Sequence, residues 1–331
     1  MVNSPNLSQV LRHGILMRNS FDFKKFKVAQ WFPGHMGKGV NQVQKRLKDV
    51  DCVIEVHDAR IPLSGRNPFY AKDISKMKPH ILILNKVDLI DYKETKNILN
   101  YFKEQDQRIL FTNCKNPNSK SIKKLVPLVS QVVKESERYH RSEAKDYSVM
   151  ITGVPNVGKS SLINALRTKH LGKGRATQVG AAPGVTKSVL ERIKISQDPL
   201  VYVLDTPGIL TPRIGSVEVG LKLALVNTIK EHLVGEDIIS DYLLYRLNCE
   251  GNHKYVDLLN LDEPTDDIQK LLVVYALKNE MMLKIRRYVS GGGLDTVPDT
   301  IRAAQKFLTA FRTGQLGPLK LDSFHSDTLK S

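Results

Sequence analysis

The chain of 331 residues has three cysteines, one tryptophan and no apolar stretch near the roughly 18 residues needed to cross a bilayer. Cys52, Cys114 and Cys249 lie far apart and match no zinc-ligand spacing. They supply no disulfide framework, which fits a reducing compartment. Any membrane contact is expected to be peripheral. Acidic residues are also in short supply, with 34 Asp and Glu against 50 Lys and Arg, a net charge of +16. That balance points to a polyanionic partner such as RNA, or to an anionic membrane surface. From Ile214 onward there are 14 basic and 16 acidic residues, which leaves 36 basic and 18 acidic in residues 1–213. The positive field therefore belongs to the front of the chain. Behind it, residues 281–320 hold 7 basic and 2 acidic residues while 214–280 hold 6 and 12. This predicts a basic face on the last helices after an acidic connector.

What the chain does contain is a glycine-bearing loop, Gly153-Val154-Pro155-Asn156-Val157-Gly158-Lys159-Ser160, between the apolar run Val149–Ile151 and the helix-like stretch Ser161–Leu166. Strand, loop and helix in that order are the context a phosphate loop requires. Its glycines let backbone N–H groups close around phosphate oxygens at the positive end of the following helix. Lys159 is placed to meet the β- and γ-phosphates and Ser160 to give its hydroxyl to Mg²⁺, with Asn156, Val157, Gly158 and Ser161 completing the cradle. In Asp205-Thr206-Pro207-Gly208, Asp205 ends the apolar run Leu200–Leu204, where its carboxylate can hold the Mg²⁺ shell. Gly208 can then offer its N–H to the γ-phosphate.

Asn85-Lys86-Val87-Asp88 follows Ile81–Leu84. A carboxylate at Asp88 accepts from guanine N1–H and N2–H₂, whereas adenine would leave it unpaired at about 1–3 kcal/mol, so GTP is expected over ATP. Phe111-Thr112-Asn113-Cys114-Lys115 stands where backbone N–H groups would back the guanine ring, which makes Asn113 and Cys114 candidates. Thr186, in Gly184-Val185-Thr186, is the candidate switch hydroxyl that joins Mg²⁺ when the γ-phosphate is present.

The order of these parts is rotated. An ordinary small GTPase reads phosphate loop, then Asp-x-x-Gly, then Asn-Lys-x-Asp, but here the guanine reader comes first. That is the signature of a circularly permuted GTPase, a rearrangement tolerated because the natural ends of such a domain lie at the surface and near each other. The runs Cys52–Val56, Ile81–Leu84, Ile109–Thr112, Ser148–Thr152, Leu190–Ile195 and Leu200–Leu204 alternate with helix-like stretches such as Lys93–Phe102 and Ser119–Ser136. They predict an α/β fold, a mostly parallel sheet with helices on both faces, followed by a small α-helical C-terminal domain. In that domain Ile301, Ala304, Leu308 and Phe311 make one helix face, Arg302, Lys306 and Arg312 lie off it, and Gly314 stops the helix. Gly291-Gly292-Gly293 reads as a connector, since no Lys-Ser follows it.

The expected divisions are 1–28, 29–213 and 214–331. The first segment has Arg12, Arg18, Lys24, Lys25 and Lys27 against one acid, Asp22, and Leu7, Val10, Leu11 and Ile15 recur near helical spacing. It reads as a mitochondrial presequence, with a basic tail that touches RNA as the alternative.

Trp31-Phe32-Pro33-Gly34-His35-Met36, Asp58-Ala59-Arg60-Ile61-Pro62, the permuted motifs and Phe311-Arg312-Thr313-Gly314-Gln315-Leu316-Gly317 together resemble the bacterial ribosome-biogenesis GTPase A family and its organellar members, from about residue 30 to 322. The resemblance implies GTP hydrolysis coupled to late assembly of the large ribosomal subunit, here the mitochondrial one, with its rRNA as partner. A monomer in the matrix, peripheral to the inner membrane, is the expectation. Ras-like enzymes orient the attacking water with a Gln after Asp-x-x-Gly, but Ile209 and Leu210 follow Gly208. Two substitutes are implied. Asn156 resembles the residue that holds K⁺ near the phosphates in potassium-stimulated GTPases. His35 resembles the family's proposed catalytic histidine, which positions or deprotonates water. His57, Asp58 and Arg60 are expected in the switch network without a catalytic role. A non-enzymatic RNA-binding scaffold and a membrane-associated signalling GTPase are the alternative functions.

Overall fold

The structure, a computed structural model, describes residues 9–12, 15–25, 46–66, 76–105, 107–138, 141–173, 192–205, 214–286 and 294–324. The chain forms two compact units, one of residues 28–230 with 320–331 and the other of residues 1–27 with 231–319.

The first unit is built on β1 (Cys52–Asp58), β2 (His80–Asn85), β3 (Arg108–Phe111), β4 (Tyr147–Thr152), β5 (Arg192–Ser196) and β6 (Val201–Asp205). They form one sheet in the order β3-β2-β1-β4-β6-β5. Every pairing is parallel except the edge strand β5, which runs antiparallel to β6. All residues of β1 and β2 are buried, as expected for strands covered on both faces, and this explains why they read as near-continuous apolar runs rather than alternating ones. Each predicted run is found as a strand to within two residues or so.

Helices α1 (Tyr92–Lys103), α2 (Lys120–Lys134), α3 (Lys159–Leu171) and α4 (Val217–Leu225) complete this unit. Asp91, Ser119 and Ser216 cap α1, α2 and α4 by accepting backbone N–H bonds that the first turn leaves unpaired. The larger core joins Ile54, Val56, Ile81 and Ile83 of the sheet to Leu125, Val126 and Val129 of α2 and Leu162, Ile163 and Leu166 of α3. A second cluster sets Leu82 and Leu84 against Ile98 and Phe102 of α1. The last residues return to this unit. Asp322, 4% exposed, accepts from the backbone N–H groups of Leu63 and Ser64 at 2.8 Å and lies 3.5 Å from Lys222 of α4.

The second unit holds α5 (Glu236–Cys249), α6 (Lys254–Leu258), α7 (Ile268–Lys278) and α8 (Thr300–Thr313), with α8 packed on α5 and α7. Gly314 ends α8 in the left-handed region, as expected, and Ala304, Leu308 and Phe311 are buried. Ile301 is 60% exposed, against expectation, because it stands in the first turn of the helix although it shares the angular position of Leu308. The unit also contains an antiparallel ribbon, Met282–Arg286 with Leu294–Pro298, which a purely helical reading does not anticipate. The Gly291–Gly293 connector lies outside the described residues.

Two expectations change. The helical spacing read near the N-terminus is not realised, since Gln9–Arg12 and Ile15–Arg18 pair as antiparallel strands. The extended form lets Arg18 reach both Asp241 oxygens, at 2.7 and 3.1 Å, and Asp266 through its Nε and backbone N–H, at 3.0 and 2.7 Å. It also buries Met17 and places Phe21 edge-on to Tyr242, ring centroids 5.3 Å apart. The division after the sheet falls at residue 230 rather than 213, because α4 belongs to the first unit.

Candidate functional site

Parallel strands put their carboxyl ends on one edge of the sheet, which is where open α/β sheets bind ligands. β1, β2, β3 and β4 therefore deliver the loops that follow them to one place, and the sequence candidates in the described residues converge there.

The phosphate loop leaves β4 through three left-handed residues, Gly153 (φ +146°), Asn156 (φ +60°) and Gly158 (φ +103°). A Cβ on Gly153 would stand 2.2 Å from the Val56 carbonyl oxygen, and one on Gly158 would stand 2.2 Å from Asn85 Nδ2. Glycine is thus dictated twice, by backbone angle and by space. Helix α3 starts at Lys159, so its unpaired N–H groups face this loop. The Lys159 ammonium donates to the carbonyls of Gly153 (3.1 Å) and Val154 (2.9 Å). Val157 is buried, and Ser160 and Ser161 are partly exposed on the first turn of α3. Asn156 Nδ2 donates to the Asn227 carbonyl at 2.8 Å, and Thr228 Oγ1 to that of Pro155 at 3.4 Å. Asn227 and Thr228 carry no sequence signal, because they follow α4 and reach the loop only through the fold.

Asn85, at the end of β2, ties three loops together. Its Nδ2 donates to Val157 O at 2.8 Å, while Oδ1 accepts from Thr112 Oγ1 at 3.1 Å and from the Cys114 N–H at 3.2 Å. Lys86 is left-handed, φ +62°, and its ammonium bridges the Asn156 carbonyl and Asp58 Oδ2, each at 2.8 Å. Val87 begins the single turn that carries Asp88. Asp88 is exposed, and among the described residues its carboxylate accepts no hydrogen bond, which leaves it accessible to the donors of a base. Cys114 is buried beside it. Burial pushes the Cys114 thiol up to about 12, the Thr112 hydroxyl opposes that rise, and the Asp88 carboxylate adds to it. Asn113 folds its side chain onto the Lys115 N–H at 3.0 Å, closing the turn that presents the loop. The guanine-reading and phosphate-holding parts are thus brought together, although about 70 residues separate them in the chain.

Beneath the site lies a charged layer in which His57, Asp58 and Arg60, expected in the switch network, are joined by Glu55, Arg66 and His80, which carry no sequence signal. Asp58 is held by Arg60 and Lys86. Burial alone would raise its carboxyl, but these two cations overcome that and hold it below the ordinary carboxylate range. Glu55, 1% exposed, is paired with His57 Nε2 at 2.8 Å and Arg66 at 2.9 Å, and His80 Nε2 stands 3.1 Å from it. Burial would raise Glu55 too, yet Arg66 and the two histidines keep it well below 4.5.

Asp205 is the last residue of β6, in register with Ile151 of β4. His35, Thr186, Gly208 and the side chain of Asp205 lie outside the described residues. Ser160 is the second residue of α3, directly after the phosphate loop, where a hydroxyl ligand for Mg²⁺ is needed. There Ser160, Asp205 and Thr186 would hold the ion, whose chemistry is to neutralise charge on the phosphate oxygens.

Comparison with known proteins agrees with this geometry. Residues 148–274 match the model of the family described as 50S ribosome-binding GTPase. That match opens at β4 and omits the Asn85–Asp88 loop, as a permuted order requires. The chain is 52% identical over 314 residues to mitochondrial ribosome-associated GTPase 1 of Xenopus tropicalis, covering 94% of this chain and 100% of that one. It is 34% identical to ribosome biogenesis GTPase A of Bacillus cereus, covering 89% and 94%. Among solved structures it is similar to GNP-bound YlqF from T. maritima, with a TM-score of 0.54 and 26% identity over 86% of this chain and 97% of that one.

Proposed function

Because the chain belongs to the family of circularly permuted GTPases that includes mitochondrial ribosome-associated GTPase 1 and ribosome biogenesis GTPase A, we propose that it hydrolyses GTP to GDP and phosphate as an assembly factor for the mitochondrial large ribosomal subunit, and so supports mitochondrial translation. The observation that carries the reading is the convergence of Asn85, Asp88, Cys114 and the Gly153–Ser160 loop on one sheet edge. The chain holding that site aligns over nine-tenths of its length with proteins named for ribosomes. The basic front half, 36 cations against 18 anions in residues 1–213, supports an rRNA surface as the partner.

In this account the protein binds the subunit in its GTP state and leaves after hydrolysis. Asp88 selects guanine, Lys159 and the loop N–H groups hold the phosphates, and Ser160, Thr186 and Asp205 hold Mg²⁺. Gly208 donates to the γ-phosphate. His35 positions the attacking water, with K⁺ at Asn156 as the alternative source of help in place of the absent Gln. We assign a matrix location at the inner-membrane face and a monomeric state. Among the described residues no helix is long and apolar enough to cross a membrane.

The test is turnover with and without purified large subunits, in potassium and in sodium. Stimulation by subunits supports the assembly role, and a potassium requirement that Asn156→Ala removes supports the cation. Hydrolysis indifferent to subunits would favour the signalling reading. No hydrolysis under any condition would leave the scaffold.

A further inference from the structure

We propose that Asp58 is a positioning residue for nucleotide binding, a buried carboxylate that anchors Lys86 and through it fixes the guanine-reading loop to the phosphate loop. Asp58 ends β1, directly opposite Asn85 in the parallel register, and is 1% exposed. Its Oδ1 accepts from the Arg60 N–H at 3.1 Å and Nε at 2.9 Å, and its Oδ2 from Arg60 Nη2 and the Lys86 ammonium, both at 2.8 Å. The same ammonium donates to the Asn156 carbonyl at 2.8 Å. One cation therefore spans two motifs, with its counter-charge inside the core rather than in the ligand.

The backbone gives a second reason. Lys86 at φ +62° and Asn156 at φ +60° are both non-glycine residues in the left-handed region, one in each loop. Such conformations persist only where the surroundings over-determine them. Here the Lys86 ammonium joins the two strained positions, and Asp58 holds that ammonium. A lysine stem has about 2 kcal/mol of rotamer entropy and would swing if a single carbonyl were its only partner. A carboxylate close to a phosphate site would also repel the ligand unless neutralised, and Arg60 and Lys86 supply that neutralisation. The Asp58-Ala59-Arg60 sequence is thus accounted for by one device, with Arg60 holding the carboxylate and the carboxylate holding the lysine.

The inference rests on the guanine-nucleotide reading, and Asp88→Asn serves as an independent check of it. Binding of fluorescently labelled GDP and GTP is measured for Asp58→Asn, Lys86→Met and the double variant, with folding followed by circular dichroism and turnover measured at saturating GTP. A charge-assisted bond of this kind is expected to be worth about 10–100-fold in affinity. Asp58→Asn should weaken both nucleotides by that factor and Lys86→Met similarly, while the double variant should be no weaker than Lys86→Met alone. KM should rise in Asp58→Asn with kcat within about twofold of the parent, because Asp58 acts on binding and not on the attacking water. If Asp58→Asn fails to fold, Asp58→Asn/Arg60→Met removes both charges of the buried pair and leaves Lys86 unanchored, so it must show the same loss. A folded variant that binds within twofold of the parent, or losses that multiply in the double variant, would overturn the proposal. If Asp88→Asn also bound GTP normally, the fault would lie in the nucleotide assignment instead.

Discussion

Replacing Gly158 with alanine adds one methyl group where the site tolerates it least. Gly158 sits at φ +103°, outside the narrow left-handed well open to other residues, and the added Cβ would stand 2.2 Å from Asn85 Nδ2. The left-handed backbone costs about 1–2 kcal/mol for an L-residue. Asn85 cannot turn aside without breaking its 2.8 Å bond to Val157 O or its 3.1 and 3.2 Å bonds from Thr112 and Cys114, and each buried partner left unpaired costs about 1–3 kcal/mol. The sum is about 2–5 kcal/mol. Gly172→Ala is the control, since that residue is also left-handed, at φ +59°, but nothing lies within 4 Å of its Cβ. It should lose about 1 kcal/mol of stability and bind nucleotide normally. Because Asn85 joins the base and phosphate loops, Gly158→Ala should weaken GDP at least about 30-fold in a labelled-nucleotide titration, with a lower melting temperature than Gly172→Ala. If the two variants melt alike and Gly158→Ala binds GDP within threefold of the parent, Asn85 is not the joint described above.

Asp88→Asn should lose GTP and gain xanthosine triphosphate, whose C2 carbonyl meets an amide donor; unchanged GTP affinity in the same titration would remove Asp88 from the base site. Lys159→Ala should weaken nucleotide binding, whereas His35→Ala should keep affinity and lose turnover, and an equal rise in the GTP dissociation constant for both would contradict that division. The third concerns pH. Burial holds the His57 imidazole below its ordinary 6.5 although Glu55 pulls the other way. The unfolded chain thus takes up a proton that the folded one refuses, so stability is complete above pH 6.5 and falls as pH drops toward the folded value. The melting temperature of the nucleotide-free protein should fall between pH 7.5 and 5.5, less steeply for His57→Gln. Parallel profiles for the two proteins would show that His57 is not the group responsible.

The sheet was legible because parallel strands buried on both faces leave short runs of Val, Ile and Leu, as in Val53–Val56 and Ile81–Leu84. The base and phosphate loops were legible because phosphate and guanine impose fixed residue types at fixed spacing. What escaped depends on contacts between distant parts of the chain. Asp58 spells a recognisable triplet with Arg60, but its grip on Lys86 exists only once β1 and β2 are in register. Asp322 reads as an ordinary tail residue in the sequence, and only the return of the chain makes it the cap of Leu63 and Ser64. At the N-terminus the few apolar residues suited either period, and the ion pairs of Arg18 with Asp241 and Asp266 favoured strands.

The central claim is that nucleotide state controls residence on the mitochondrial large subunit. Gradient co-sedimentation with purified subunits, in GDP and in a non-hydrolysable GTP analogue, tests it most directly. The analogue should hold the protein on the subunit and GDP should release it. Added salt should weaken the analogue complex, because several phosphate contacts carry the binding. Equal co-sedimentation in the two nucleotide states, with no acceleration of hydrolysis by the subunit, would contradict the account.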